Sequence, residues 1–198
     1  MENGFQKNRY KVIKGLIDPK EFYNYITNLK KEGKLQSTIE AETNPGIPES
    51  LYKDAKFEKL LVDLKPVIEE HTGYSLYKTF SSARYFKKGD VTRARKNEKA
   101  AEICVAISLG HEESPWPISF FDEDMRPQSI ALEPGDAIVF KGPDLLFWRS
   151  MNVYGDCAQL FLYYVNQNGP FAIYKDDHKP QVKQGGTLKR LGNYFGIK

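Results

Sequence analysis

Two stretches in the first third of the chain carry apolar residues at helical spacing. The first covers residues 19–31, where the apolar positions are Phe22, Tyr23, Ile26 and Leu29. Intervals of three and four residues are typical of one face of an amphipathic helix. Asp18 and Pro19 precede this stretch, and these residue types are favoured at the N-cap and first helical position. The pattern therefore predicts a helix over residues 19–31.

A second apolar stripe indicates a helix over residues 54–71. Its apolar positions are Phe57, Leu60, Leu61, Leu64 and Ile68. Pro66 lies inside this stretch, and proline removes a backbone donor and crowds the preceding turn. The sequence thus leaves two alternatives, a kinked helix or one that is split at this position.

After Gly73 the pattern changes to short runs rich in β-branched and aromatic residues, with Gly, Pro and Asp between them. These runs cover residues 76–86, 102–109, 118–121, 129–132, 137–140 and 159–165. A further run at residues 9–17 predicts an opening strand before the first helix. Regular short strands without intervening helical patterns are typical of a sandwich or jelly roll. We therefore predict an α+β chain with two leading helices and an all-β core.

The length of 198 residues suits a single domain. Within it we expect a helical support region at residues 1–74, a jelly-roll core at 75–175 and a polar C-terminal tail at 176–198. Turn-forming residues predict a loop at residues 44–48. A docked turn at residues 191–195 is an alternative to a tail that lies along the surface.

Composition and charge narrow the classes of partner. Apolar residues make up 40% of the chain and the formal net charge is +3, without the dense basic block that nucleic-acid or membrane binding favours. Residues 1–14 lack the pattern of a secretory signal. Cys104 and Cys157 are the only cysteines. We expect free buried thiols in a cytoplasmic protein, with neither nucleic acid nor membrane as a partner.

The histidines offer little for catalysis or metal binding. The chain has three, His71, His111 and His178. We expect His71 at the end of the second helix, His111 in a solvated turn and His178 in the polar tail. The acidic run of residues 122–124 is interpreted as a hairpin loop.

Three pairs of segments in the β-rich half resemble a known family. They read ARYFKKGD before AEICVAISL (residues 83–90 and 101–109), PWPI before PGDAIVFKG (115–118 and 134–142), and FWR before QLFLYYV (147–149 and 159–165). In this order they resemble the Fe(II)/2-oxoglutarate-dependent oxygenases of the prolyl-4-hydroxylase-like, bacterial and phage type. The resemblance covers residues 75–175 and implies a double-stranded β-helix core, a cupin-like jelly roll.

The resemblance also implies an iron site whose ligands this chain lacks. The family binds iron through His-X-Asp on one strand and a distant His before Trp-Arg. These positions correspond here to Arg95, Asn97 and Phe147. Arginine has no lone pair to donate, the Asn amide oxygen is a far weaker ligand than a carboxylate, and Phe has no donor atom. We therefore expect no metal site and no cofactor.

The family holds 2-oxoglutarate with a basic residue deep in the barrel, and Arg84 and Arg149 are the candidates here. Including the former ligand positions, the resemblance implies a pocket at Arg84, Arg95, Asn97, Phe147, Arg149, Gln159 and Tyr163. Two structural alternatives stay open. Arg84 and Arg149 could form ion pairs with Glu102 or Asp136. Arg95 could lie in a solvated connection at residues 92–98, or project into the former metal pocket and bind an anion bidentately.

Two classes of function follow, and the catalytic residues stay unassigned. The first is a pseudoenzyme that binds a small carboxylate, another anion or a protein partner. The second is an active oxygenase-superfamily enzyme with a metal-free or non-standard site. Fe(II) and 2-oxoglutarate would serve as cofactors in this second class. A third possibility is an ordinary oxygenase activity whose metal ligands are borrowed from a partner subunit.

Overall fold

The computed structural model describes residues 4–36, 49–122 and 124–178. Its helices are α1 (Gly4–Asn8), α2 (Lys20–Lys31) and α3 (Ala55–Thr72), and 3-10 turns cover Lys99–Ala101 and Ala172–Asp177. Its strands are β1 (Tyr10–Ile13), β2 (Glu49–Tyr52), β3 (Leu76–Phe86), β4 (Thr92–Arg95), β5 (Ile103–His111), β6 (Ile118–Phe121), β7 (Pro127–Ile130), β8 (Ala137–Lys141), β9 (Phe147–Arg149) and β10 (Cys157–Asn166). The predicted loop at 44–48 and turn at 191–195 lie outside the described residues.

Helices α2 and α3 coincide with the two apolar stripes. Asp54 caps α3 by accepting a hydrogen bond from the Lys56 backbone N–H at 3.0 Å, and Gly73 ends the helix in a left-handed conformation. Pro66 neither splits α3 nor divides its apolar stripe. Pro66 and Val62, four residues earlier, are both exposed, so water can satisfy the carbonyl that proline leaves without a donor.

The strands form two antiparallel sheets in the order of a jelly roll. The larger sheet has the order β1-β8-β5-β10-β3-β2, and the smaller has the order β4-β9-β6-β7. From β3 to β10 the chain passes between the sheets, with β3, β5, β8 and β10 in the larger and β4, β6, β7 and β9 in the smaller. This arrangement confirms the predicted double-stranded β-helix core.

The first 74 residues supply two strands to the larger sheet as well as the helices. Strands β1 and β2 form the two edges of the larger sheet, through antiparallel pairing with β8 and β3. The predicted strand at 9–17 is shorter, because Gly15 adopts a positive φ of 59° and turns the chain after Ile13. Strand β2 has four residues and was not predicted.

Two apolar cores lie on opposite faces of the larger sheet. The first packs α2 and α3 against that sheet and includes Ile26, Phe57, Leu61, Val105, Leu160 and Tyr164. The second fills the space between the sheets and includes Phe80, Cys104, Phe120, Phe140, Phe147 and Phe161. Because β5 and β10 are buried on both faces, alternate residues of each strand enter different cores. None of the described helices is both long and apolar enough to cross a membrane.

Two sequence predictions on cysteine and histidine have different outcomes. Cys104 and Cys157 are free and buried, as predicted. His111 is not a solvated turn residue, because β5 continues two positions past its predicted end and pairs His111 with Cys157. The His111 side chain is 15% exposed, and Nε2 lies 3.8 Å from the Glu133 carboxylate. Both ring nitrogens are buried and have no hydrogen bond to any described residue.

Candidate functional site

Alternate residues of β3 and β10 face the space between the sheets. On β3, Phe80 and Phe86 belong to the inter-sheet core, so the alternation of side chains places Ser82 and Arg84 on the same face. On β10, Phe161 and Tyr163 face the same space. This face of the larger sheet therefore carries Arg84 between aromatic side chains, with Ser82 and Phe80 on one side of it and Phe86 on the other.

A bulge in β4 separates two neighbouring arginines of the smaller sheet. Thr92 pairs with Arg149 and Arg95 with Phe147, so β4 has one more residue than β9 between the paired positions. Arg93 lines a groove on the outer side with Trp148. Arg95 lies on the inner side, with its guanidinium carbon 5.6 Å from the centre of the Phe147 ring. Arg95 is exposed, as expected of a solvated segment, but residues 92–95 form a strand instead of a connection and the guanidinium group lies against Phe147.

The segment that follows β4 is held against β8 by a glycine. The Asn97 backbone N–H donates to the Gly142 carbonyl at 2.9 Å. A Cβ atom at Gly142 would lie 2.3 Å from the Ala101 carbonyl oxygen and 2.6 Å from the Asn97 Cβ. Only glycine permits this approach without displacement of the backbone. The Asn97 amide nitrogen is buried beside the Cys104 thiol, without a hydrogen bond of ordinary geometry to any described residue.

These elements enclose a cavity of about 400 Å³ that opens to solvent. Its basic side chains are Arg84, Arg95 and Lys96. Its aromatic side chains are Tyr52, Phe80 and Tyr163. Ser82, Asn97, Glu98 and Ala101 complete the lining. Three basic side chains against one carboxylate make the cavity electropositive.

The two cavity arginines have no anionic partner in the part of the chain that the structure describes. Within the described residues, neither Arg84 nor Arg95 forms a hydrogen bond or an ion pair. The Arg84 guanidinium carbon lies 4.9 Å from the centre of the Phe161 ring. Burial and the positive charge of Arg84 together lower the pKa of Arg95. Stacking on a ring uses the face of a guanidinium and leaves the N–H groups at its edge free.

The Cys104 thiol and the Tyr163 hydroxyl beside the two arginines stay protonated at neutral pH. Burial raises the pKa of the Cys104 thiol to about 12, although Arg84 and Arg95 oppose the shift. Burial also raises the pKa of the Tyr163 hydroxyl against the same two arginines. The residues around the two guanidinium groups thus supply no thiolate or phenolate to neutralise them.

Arg149 and Gln159 lie between the sheets but do not line this cavity. The Arg149 side chain is 5% exposed and donates to the Trp116 carbonyl and, at 2.9 Å, to the Gln159 side-chain oxygen. Its burial lowers the pKa of Arg149 to about 10. Phe147 and Arg149 do share the inward face of β9. The expectation that Arg95 and Arg149 share one cavity is nevertheless wrong, and Arg84 is the neighbour of Arg95.

The proposed internal ion pairs of Arg84 and Arg149 are also absent among the described residues. Asp136 forms an ion pair with Lys14 at 2.6 Å and accepts a hydrogen bond from the Gly15 N–H. Glu102 accepts a hydrogen bond from the Asn166 backbone N–H at 2.8 Å. Both carboxylates therefore serve the backbone at the ends of strands and leave the arginines uncompensated.

The role of the Glu102 carboxylate can be tested by its effect on the free energy of unfolding. Burial raises the pKa of the Glu102 carboxyl, so its charged form destabilises the folded state at pH values above that pKa. Glu102→Gln keeps an acceptor for Asn166 without the charge. We expect urea unfolding at pH 7 to show a gain of about 0.5–2 kcal/mol. The gain should shrink at acidic pH, as wild-type Glu102 becomes protonated; an unchanged gain there would contradict the electrostatic cause.

The residues at the implied iron site do not fit iron. Arg95 and Phe147 lie opposite each other on paired strands, and Asn97 follows two positions later. This set offers one neutral amide oxygen as a ligand, beside a permanent positive charge. Among residues 4–36, 49–122 and 124–178, no group of three or more His, Cys, Asp and Glu side chains could hold a metal ion.

Sequence reasoning missed part of the cavity. Phe80 and Ser82 share a strand face with Arg84, so the alternation along residues 76–86 could have identified them. Tyr52 had no such signal, because it lies on the short strand β2 and joins the cavity only through pairing with β3. Lys96 and Glu98 are exposed and looked like ordinary surface charges.

Comparisons with known proteins identify the fold. No protein-family model matches the sequence, and no curated protein sequence is similar to it. Among solved structures, a prolyl-4-hydroxylase from Pseudomonas putida superposes with a TM-score of 0.68 at 9% identity, over 82% of this chain and 95% of that one.

Two further solved structures agree with that result. The α-ketoglutarate-dependent epimerase SnoN from nogalamycin biosynthesis gives a TM-score of 0.66 at 9% identity, over 82% of this chain and 80% of that one. A 2OG-Fe(II) oxygenase-family oxidoreductase from Burkholderia pseudomallei gives 0.63 at 13% identity, over 81% and 86%. The chain therefore has the double-stranded β-helix fold of the Fe(II)/2-oxoglutarate oxygenases.

Proposed function

We propose that this protein is a non-iron member of the oxygenase fold that binds a small carboxylate or phosphate between Arg84 and Arg95. The observation that carries the proposal is the pair of guanidinium groups in one cavity without an anionic partner among the described residues. Burial lowers the pKa of Arg95, and the positive charge of Arg84 lowers it further. A bound anion would remove the repulsion between the two charges and accept hydrogen bonds from both edges.

The chemistry of the former metal positions supports binding rather than iron-dependent oxidation. Arg95 places a positive charge on the inner side of β4, and Phe147 adds an apolar ring to the inter-sheet core. The same interior that would have surrounded a metal is suited to an anion. We therefore infer a pseudoenzyme that binds an anion. The anion supplies negative charge where the family has carboxylates.

Removal of Arg95 tests this proposal. Arg95→Ala should weaken binding of succinate, 2-oxoglutarate or inorganic phosphate by about 1.5–3 kcal/mol, the value of a charge-assisted hydrogen bond. Calorimetric titration would measure the affinity, and a rise in melting temperature with ligand would identify which anion binds. Arg93→Ala is the matched control, because Arg93 is exposed on the same strand and lines the outer groove.

The proposal fails if no anion raises the melting temperature of the wild-type protein, or if Arg95→Ala and Arg93→Ala respond alike. A protein partner would then be the better hypothesis. Without ligand, Arg95→Ala should unfold within about 0.5 kcal/mol of the wild type, because the substitution also removes the repulsion from Arg84. A structural arginine would instead show a clear loss of stability.

A further inference from the structure

The cavity carries aromatic side chains beside its charged ones. The Tyr52 and Phe80 ring centres lie 5.2 Å apart, and those of Phe80 and Tyr163 lie 4.5 Å apart. All three rings line the cavity. The Tyr52 hydroxyl donates to the Asp177 carboxylate at 2.5 Å, which fixes the ring at the rim. These side chains form a continuous aromatic wall, defined here as Tyr52, Phe80 and Tyr163.

Strand geometry separates the Phe80 part of this wall from Arg84, whereas Tyr163 lies close enough to Arg84 and Arg95 for their charges to oppose the rise in its pKa. Phe80, Ser82 and Arg84 follow one another on the same face of β3. At about 3.3 Å per residue, the α-carbons of Phe80 and Arg84 lie roughly 13 Å apart. Ser82 occupies the middle with a small polar side chain. The cavity is therefore elongated from Arg84 at one end to Phe80 at the other, and Tyr52, which pairs with Ser82, extends the aromatic wall between them.

The size of the cavity exceeds what a bare anion requires. A water molecule takes about 30 Å³ of liquid volume, whereas the cavity measures about 400 Å³. An inorganic anion between Arg84 and Arg95 would leave the aromatic wall in contact with water. A ligand that fills both ends must join an anionic group to an apolar one.

We propose that the ligand is an anion attached to a flat aromatic or heteroaromatic ring, such as an aryl carboxylate or aryl phosphate. This inference rests on the proposed function and adds the chemistry of the second half of the ligand. The anionic group binds at Arg84 and Arg95, and the ring packs on the aromatic wall. Offset and edge-to-face contacts with aromatic rings favour a flat ring over a saturated one.

Matched probes test the inference in calorimetric titrations of the full chain. Phenyl phosphate should bind at least about tenfold more tightly than inorganic phosphate, or benzoate more tightly than acetate and cyclohexanecarboxylate. The pair with the larger ratio distinguishes a phosphate ligand from a carboxylate ligand. Tyr52→Ala should reduce that ratio severalfold. Tyr52 is 45% exposed, so the variant should fold, which a thermal melt would verify.

Tyr77→Ala is the matched control, since Tyr77 is an exposed tyrosine of β3 whose ring contacts Lys175 rather than the cavity. It should keep the wild-type ratio. Equal affinities for the aryl and simple anions in the wild type would overturn this inference while the anion site stands. Aryl probes that bind as tightly to Tyr52→Ala as to the wild type would also overturn it. An absence of binding by every probe would overturn the anion site as well.

Discussion

Titrated with Fe(II) under anoxic conditions, the wild-type protein is expected to bind no stoichiometric metal. The triple variant Arg95→His, Asn97→Asp, Phe147→His should bind it measurably, because it restores two imidazoles and a carboxylate on the elements that face each other at β4 and β9. Decarboxylation of 2-oxoglutarate should stay at background, since the groups that orient metal ligands are not restored with them.

A control variant tests whether Fe(II) binding requires the assembled site or only an added histidine. In the control variant Arg93→His replaces Arg95→His, which places one imidazole in the outer groove instead of the interior. Equal Fe(II) affinity of the control and the triple variant would show that the inner face of β4 does not determine binding. Micromolar binding by the wild type would show that the non-iron assignment is wrong.

Phe147→Ala should cost about 3–5 kcal/mol of unfolding free energy, the range for a large aromatic removed from a core. Phe147 is 6% exposed, and its ring centre lies 5.4 Å from that of Phe140. The alanine variant leaves a cavity between the sheets that the surrounding strands cannot fully close. Urea unfolding of variant and wild type would measure the loss.

Met151→Ala provides the control for this measurement. Met151 follows β9 and is 60% exposed, so its truncation should change stability by no more than about 0.5 kcal/mol. Similar losses for the two variants would show that the Phe147 ring is not part of the core. A metal ligand at this position would contribute to chemistry, whereas we expect Phe147 to contribute to folding.

The central strands were the most predictable part of the fold. The predicted bounds of β3 and β6 match the structure, because both segments are bounded by turn-forming residues. Strand β4 was missed because three of its four residues are exposed and charged or small. It is stabilised as a strand by β9, which lies about fifty positions later in the chain. Local composition does not record such distant pairing.

Only part of the site could be predicted, because some of its contacts also join residues that are distant in the chain. Four of the predicted pocket residues, Arg84, Arg95, Asn97 and Tyr163, do line one cavity. Arg149 was grouped with Arg95 because alternation shows which face a side chain takes. Alternation does not show how deeply a side chain is buried, and it is interrupted by the bulge in β4. The pair of Arg84 and Arg95 depends on the contact between opposite sheets, which the spacing within one strand cannot reveal.

The placement of the first strand at the edge of the larger sheet has a consequence for how the chain folds. Tyr10 pairs with Phe140, 130 positions later. The centre of the same sheet includes β10, which lies near the end of the described chain. Sheets built from such distant pairs lose much chain entropy before native contacts compensate, and they fold in milliseconds to seconds rather than microseconds. During synthesis, α2 and α3 emerge well before the strands that cover their apolar faces. The nascent chain therefore depends on late closure by β10, and the apolar faces of α2 and α3 stay uncovered until that strand is complete.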